Sequence, residues 1–307
     1  MKKHYVGRFA PSPSGRMHLG NLYAGLLAWL RARSQHGQIL LRIEDLDPLR
    51  CPKSFAYQII TDLKWLGLPF DNEDDIIWQS DRNKIYQKYA EQLKAAGLTY
   101  PCFCSRAEIH AAAAPHASDG RAIYPGTCRR LTAAQLDQKL LERSPALRVL
   151  VPDQIWSVTD LHYGDCSLNL AQDWGDAIIR RSDGVWAYQL AMTVDDGLMG
   201  VTEIVRGQDL LTSAPLQKFL FTTLGFAVPD FFHLPLLINS KGERLAKRDL
   251  AADMSTIKAR FPQPEQVIGY LGYLSGQLTK PEPLTAAELA TIFNPFKLPV
   301  QDIVVPD

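Results

Sequence analysis

Arg8 to Asn21 reads "RFAPSPSGRMHLGN": two prolines, two glycines and two serines, then a histidine, and at once the apolar run "LYAGLLAWLRAR". Ahead of it "HYVGRFA" alternates like a short strand that Pro11 and Pro13 bring to an end. Behind it the pattern is that of a helix from about His18 to Gln35, closed by Gly37. A loop that leaves a strand and enters a helix at the carboxyl end of a parallel sheet is a recurrent ligand site. The first helical turn offers unpaired N–H groups and the positive end of the helix dipole, both suited to phosphate. Gly15 and Gly20 permit close approach, the prolines stiffen the loop, and His18 can donate a hydrogen bond to a phosphate oxygen. Taken alone, the same letters also describe an ordinary turn with a histidine at a helix start.

Outward from this stretch the order is strand, helix, strand, helix. "QILLRIED" reads as a buried strand, and helical patterns run from Lys53 to Leu66 and from Asp81 to Ala96, each closed by a glycine. That order predicts a parallel α/β sheet with right-handed crossovers. The alternation breaks at about Tyr100. From there to about Trp186 lie four of the five cysteines, "ALRVLV", and a hairpin in "AIIRRSDGVWAY" turning at Ser182-Asp183-Gly184, which together predict an insertion with its own small sheet. The α/β pattern resumes with "GVTEIVRG" as a strand, "LLTSAPLQKFLFTTLGF" as a helix and "FFHLPLLINS" as a strand, before the charged loop "KGERLAKRD" and a helical, then irregular, remainder.

Composition constrains function little. The 33 basic and 33 acidic residues cancel, so net charge points to no partner, and a local basic face for nucleic acid remains open. No run approaches the ~18–20 apolar residues of a membrane span, and no apolar segment follows the basic start, which reads as a cytoplasmic protein with no membrane partner. Five cysteines, two of them one residue apart, do not make a secreted disulfide framework.

Four segments in order, "RFAPSPSG…HLGN", "LLRIEDLD", "VTEIVRG" and "RLAKR", spanning Arg8 to Arg248, resemble the glutamyl and glutaminyl branch of class I aminoacyl-tRNA synthetases. The resemblance implies a Rossmann-type nucleotide-binding fold on which a His-x-Gly-His-like and a Lys-Met-Ser-Lys-like signature bind ATP. Carried over residue by residue, Pro11, Gly15, His18, Gly20, Asn21, Arg244 and Lys247 would hold ATP with its magnesium, with His18 and Lys247 acting on the phosphates. The second signature departs from the family at Arg244 and Ala246, where Lys and Ser are usual, which costs a hydroxyl donor. The same resemblance assigns an amino-acid pocket for glutamate to Arg8, Ala10, Ser12, Glu44, Tyr188 and Arg206. The chemistry fits, since two guanidiniums suit two carboxylates and one carboxylate suits an ammonium. Four residues after Tyr188 the family's glutamyl enzymes place Asn; here stands Met192. Asp195-Asp196 is a family landmark with no role assigned.

Cys102, Cys104 and Cys128 suggest zinc, which favours thiolates and four ligands. On general chemistry the fourth ligand is open among His110, His116 and Tyr124; the resemblance implies Tyr124 and a structural role. It further implies four parts: residues 1–100 as the first half of the catalytic domain, 101–190 as an inserted zinc-bearing, acceptor-binding subdomain, 191–250 as the second half, and 251–307 as a helical segment. The length leaves no anticodon-binding domain, as in a short branch of the family whose members transfer glutamate to the queuosine base in the anticodon of tRNA(Asp). Family precedent implies a monomer. The alternatives are a minimal synthetase charging the tRNA 3′ end and a silent RNA-binding paralogue.

Overall fold

A computed structural model describes residues 4–111, 123–243, 245 and 253–306. The chain begins with β1 (Val6–Phe9), α1 (Leu19–Ser34) and β2 (Gln38–Ile43), with β2 parallel to β1 and Leu40 opposite Arg8. Then come α2 (Lys53–Trp65), the short β3 (Ile77–Trp78) parallel to β2, and α3 (Asn83–Ala95). The middle holds β4 (Thr99–Cys102), α4 (Arg106–Ala111), α5 (Ala133–Glu142), β5 (Ala146–Val149), β6 (Ile155–Asp160), β7 (Gly164–Asn169) and β8 (Ala177–Arg180). There follow α6 (Tyr188–Leu198), β9 (Glu203–Gly207), α7 (Ala214–Leu224), β10 (Asp230–Leu234) and β11 (Leu237–Ile238). The chain ends with α8 (Met254–Arg260), α9 (Pro264–Leu274), α10 (Ala286–Ile292) and β12 (Ile303–Val304), the last parallel to β11.

Two parallel sheets meet at β1. The first has the order β1-β2-β3; the second runs β7-β6-β10-β9, with β9, β10 and β6 parallel. They join where Thr202 N donates to Val6 O at 2.8 Å and Val6 N donates to Thr202 Oγ1 at 2.9 Å. The parallel α/β architecture expected from the strand–helix order is therefore present. Among the described residues of the middle part, β4, β5 and β8 form a separate antiparallel sheet. The β6–β7 hairpin instead continues the sheet of β10, where Phe231 faces Asp160. The predicted turn at Ser182–Gly184 forms, with Arg181 N on Val185 O at 2.8 Å, but its second arm is a single bridge at Trp186 before α6 begins. Pro235, which has no N–H for a ladder, falls between β10 and β11 and splits the one strand expected there.

Ten of the sixteen residues of α1 are buried, which places this helix between layers and not on a surface. Leu22, Leu26 and Leu30 share one core with Val267, Ile268 and Leu271 of α9 and Leu289 of α10. Each such side chain contributes roughly 1.5–3 kcal/mol by leaving water. The carboxyl-terminal helices thus hold α1, and with it the loop at its start, against the sheet. No helix among the described residues is long and apolar enough to cross a membrane.

Candidate active site

A cavity of about 450 Å³ opens at the carboxyl ends of β1 and β9. The loop from Ala10 to His18 forms one wall, anchored where Glu44 N donates to Pro11 O at 3.0 Å. His18 is the cap of α1. Its Nδ1 accepts the Gly20 amide at 3.1 Å, and its own amide donates to Asn21 Oδ1 at 3.2 Å. An Nδ1 that accepts carries no hydrogen, so the neutral ring holds its proton on Nε2 and presents a donor. A Cβ on Gly20 would lie 3.1 Å from the imidazole, so glycine keeps this cap tight. A second cavity of about 280 Å³ shares His18 and Asn21 with the first and is floored by Leu234, Leu236, Leu237 and Leu245. A polar loop joined to an apolar floor suits a phosphorylated molecule with a flat apolar part.

Of the residues expected to hold ATP, Pro11, Gly15, His18 and Asn21 line the first cavity and Gly20 the second, while Arg244 and Lys247 lie outside the described residues. All six expected amino-acid residues, Arg8, Ala10, Ser12, Glu44, Tyr188 and Arg206, line the first cavity. Arg8 donates through Nε to Asp196 at 3.1 Å and through Nη1 to Val205 O at 3.0 Å. Glu44 accepts from Arg42 Nη2 at 3.0 Å; burial raises its carboxyl, and Arg42 only partly offsets this. Met192 is fully buried beside Tyr188 and Phe231.

Arg206 is unusual in its company. Nε donates to His233 Nε2 at 3.0 Å, Nη1 to Tyr188 Oη at 3.3 Å, and Nη2 to Leu210 O at 3.1 Å and Gln217 Oε1 at 2.7 Å. These partners use four of five N–H groups, and none is a carboxylate. The remaining hydrogen sits on Nη1 beside a tyrosine hydroxyl whose own proton is uncommitted to Arg206. Burial pulls this guanidinium below its ordinary value, although it stays charged. A charged, buried guanidinium whose partners are all neutral is chemically suited to receive a carboxylate.

Sequence reasoning missed what stands behind these side chains. Asp196 binds both Arg8 and Arg42, while Asp195 accepts from Arg82 Nε at 2.7 Å, Gln79 Nε2 at 2.7 Å and Tyr86 Oη at 2.8 Å. Burial raises the Asp196 carboxyl, but Arg42 and Arg8 outweigh it and hold the group below the usual carboxylate range. The available signal was an arginine inside the apolar run "QILLRIED", which on burial requires acidic partners that "TVDD" supplies.

Cys102, Cys104 and Cys128 converge, their sulfurs all within 4.8 Å of one another. The Cys104 and Cys128 sulfurs are 3.6 Å apart, and Cys104 Sγ lies 3.7 Å from Tyr124 Oη. A tetrahedral zinc with bonds of about 2.3 Å sets sulfurs about 3.8 Å apart, so the cluster is compatible with that ion. Burial raises the Cys128 thiol, but the Phe103 amide and neighbouring hydrogen bonds outweigh it and bring it down towards the thiolate. His116 and the side chain of His110 lie outside the described residues.

The family described as tRNA synthetases class I (E and Q), catalytic domain, matches residues 5–298. A glutamyl-Q tRNA(Asp) synthetase of Symbiobacterium thermophilum is 46% identical, covering 98% of this chain and 95% of its own length. That of Nitratidesulfovibrio vulgaris is 41% identical over the same shares, 98% and 95%. Among solved structures, a glutamate tRNA ligase from Elizabethkingia meningosepticum in complex with its amino acid superposes with a TM-score of 0.83 at 26% identity, over 98% of this chain and 67% of that one. The chain belongs to the class I glutamyl- and glutaminyl-tRNA synthetase family, in its glutamyl-Q tRNA(Asp) branch, and is an ATP-dependent ligase.

Proposed function

We propose that the enzyme activates L-glutamate with ATP as glutamyl-adenylate, without tRNA, and then transfers the glutamyl group to queuosine at the wobble position of tRNA(Asp). The carrying observation is the charge pattern of the cavity: Arg8 and Arg206 for two carboxylates, Glu44 for one ammonium. In the first step a glutamate α-carboxylate oxygen attacks the α-phosphorus of magnesium-bound ATP, and pyrophosphate leaves with the bonding electrons. Positioning and charge stabilisation carry such a step. The Nε2–H of His18 and the ammonium of Lys247 would supply both, and the side-chain carboxylate would rest on Arg206 and Tyr188. In the second step a ring hydroxyl of queuosine attacks the acyl carbon, its proton passes to the departing phosphate, and AMP leaves with the bonding electrons. Queuosine's neighbouring hydroxyls resemble the terminal ribose diol of tRNA, so one acyl-adenylate serves either nucleophile. The names of the relatives that match along the whole chain favour queuosine. Zinc on Cys102, Cys104, Cys128 and Tyr124 would pin β4 to the segment before α5.

Labelled glutamate, ATP and queuosine-bearing tRNA(Asp) test this directly. After nuclease digestion the label should sit on the anticodon nucleoside. Label on the 3′-terminal adenosine would instead establish a minimal charging enzyme. Glutamate-dependent pyrophosphate exchange should proceed without tRNA and vanish in Lys247→Ala; no exchange in the unaltered protein would leave the silent paralogue.

A further inference from the structure

Behind Arg206 lies a line of groups closed to solvent. His233 is fully buried and Asp160 nearly so. The imidazole Nδ1 lies 2.6 Å from Asp160 Oδ2, and Nε2 lies 3.0 Å from Arg206 Nε. A guanidinium Nε always carries its hydrogen, so it donates and His233 Nε2 must accept. The ring proton is therefore on Nδ1, directed at Asp160. Asp160 Oδ1 also accepts the amides of His162 at 3.0 Å and Tyr163 at 2.9 Å. Burial raises Asp160, but the His233 hydrogen bond and these amides outweigh it, so the carboxylate stays ionised. Burial also pushes His233 below the ordinary histidine value, with Arg206 adding to this and Asp160 opposing it. The charged groups facing the imidazole are Asp160 from β6, Arg206 from β9 and Asp209 from the turn after β9. Phe231, on its own strand, stacks on it with centroids 6.2 Å apart.

We propose that Asp160 and His233 form a positioning relay that aims Arg206 at a carboxylate ligand, and that a second proton on His233 disengages it. The proposal rests on the assignment of Arg206 to glutamate. A proton on Nε2 sets donor against donor, so the guanidinium loses its fixed edge and the remaining Nη1–H turns from its line. Apparent affinity for glutamate falls as the pH falls, while that for ATP, whose expected contacts do not include Arg206, is unaffected.

The test is glutamate-dependent pyrophosphate exchange between pH 5.5 and 8, with nitrogen-15 spectra of histidine-labelled protein. At pH 7.5 the signal missing from His233→Gln should report a ring protonated on Nδ1 and bare on Nε2; the opposite tautomer overturns the relay. His233→Gln offers an oxygen where Nε2 was, so its KM for glutamate should stay within about threefold at pH 7.5 and lose the wild-type rise towards acid. His233→Leu strips Arg206 Nε of its acceptor and should raise that KM about ten- to hundredfold, with kcat and the KM for ATP nearly unchanged. An unmoved KM in His233→Leu, a flat wild-type profile, or an acid rise that survives His233→Gln (as titration of Glu44 would cause) each overturns it. Should His233→Leu fail to fold, the glutamine variant and the spectra decide. Arg206→Met separates the layers: if it keeps the wild-type KM, the glutamate assignment itself fails. If it loses glutamate while His233→Leu does not, only the relay fails.

Discussion

Arg8 and Arg206 line one cavity and are equally buried, at 4% and 6% exposure, yet their surroundings are opposite. Around Arg8 the charges match: Arg8, Arg42 and Arg82 face Asp195, Asp196 and Glu44. Around Arg206 every hydrogen-bonding partner is uncharged. Burial of an arginine alone therefore says little about binding. A buried arginine held by neutral acceptors keeps its charge unmatched, which the fold must carry as a cost and which an anionic ligand would relieve.

The largest effects should come from reversing the two environments. Asp196→Ala leaves Arg8 and Arg42 short of a counter-charge and should lower unfolding stability by about 3–5 kcal/mol in urea titrations. Arg206→Met removes a buried cation that has no carboxylate partner but leaves its four neutral acceptors short of a donor, so the two effects oppose and stability should change by less than about 2 kcal/mol, while glutamate-dependent exchange falls about a thousandfold. Equal destabilisation by both would erase the contrast. Next in size, glutamate at about a hundred times its Kd should stabilise the protein by about 2.7 kcal/mol, read as a rise in Tm. Arg206→Met should abolish that rise, and glutamine, lacking the second carboxylate, should give much less in the unaltered protein.

A pH titration of stability sharpens the same comparison. Asp196 and His233 both have folded pKa values below their ordinary ones. For each, the unfolded chain binds the proton more readily, so stability is fully present above the ordinary pKa and is lost as pH falls. The His233 contribution should fade below about pH 6.5, and that of Asp196 only below about pH 4. His233→Gln should flatten the upper part of the loss and Asp196→Asn the lower part. If either variant flattens the other's window, the two neighbourhoods are one coupled unit.

What could be read from the letters was local. The strand, loop and helix around "RFAPSPSGRMHLGN" follow from turn chemistry and apolar spacing within thirty residues, and the cavity gathers the expected Arg8, Glu44, Tyr188 and Arg206. What was not legible depends on long range. Asp196 meets Arg42 across 154 residues, and nothing in "TVDD" says which cations it will find. α6, which carries that pair, starts straight after a hairpin and reads as a continuation of it. His233 sits in the apolar "FFHLPLLINS", where its meaning comes entirely from Asp160, 73 residues away, and Arg206, 27 away. Strand register brings them together, since His233 lies opposite Arg206 on neighbouring strands.

A third arginine sets the lower end of the scale. Arg181 pairs with Asp47 at 2.8 Å and also with Asp183, but its side chain is 44% exposed. Water already solvates these charges, and fixing two long side chains costs entropy, so the geometry overstates the energy. Arg181→Ala should change stability by less than about 1 kcal/mol, and added salt should reduce even that. The same guanidinium–carboxylate contact would then span several kcal/mol at Arg8 and almost nothing at Arg181. A loss at Arg181 as large as that of Asp196→Ala would mean that burial does not govern these pairs, and that the uncharged surroundings of Arg206 need another explanation.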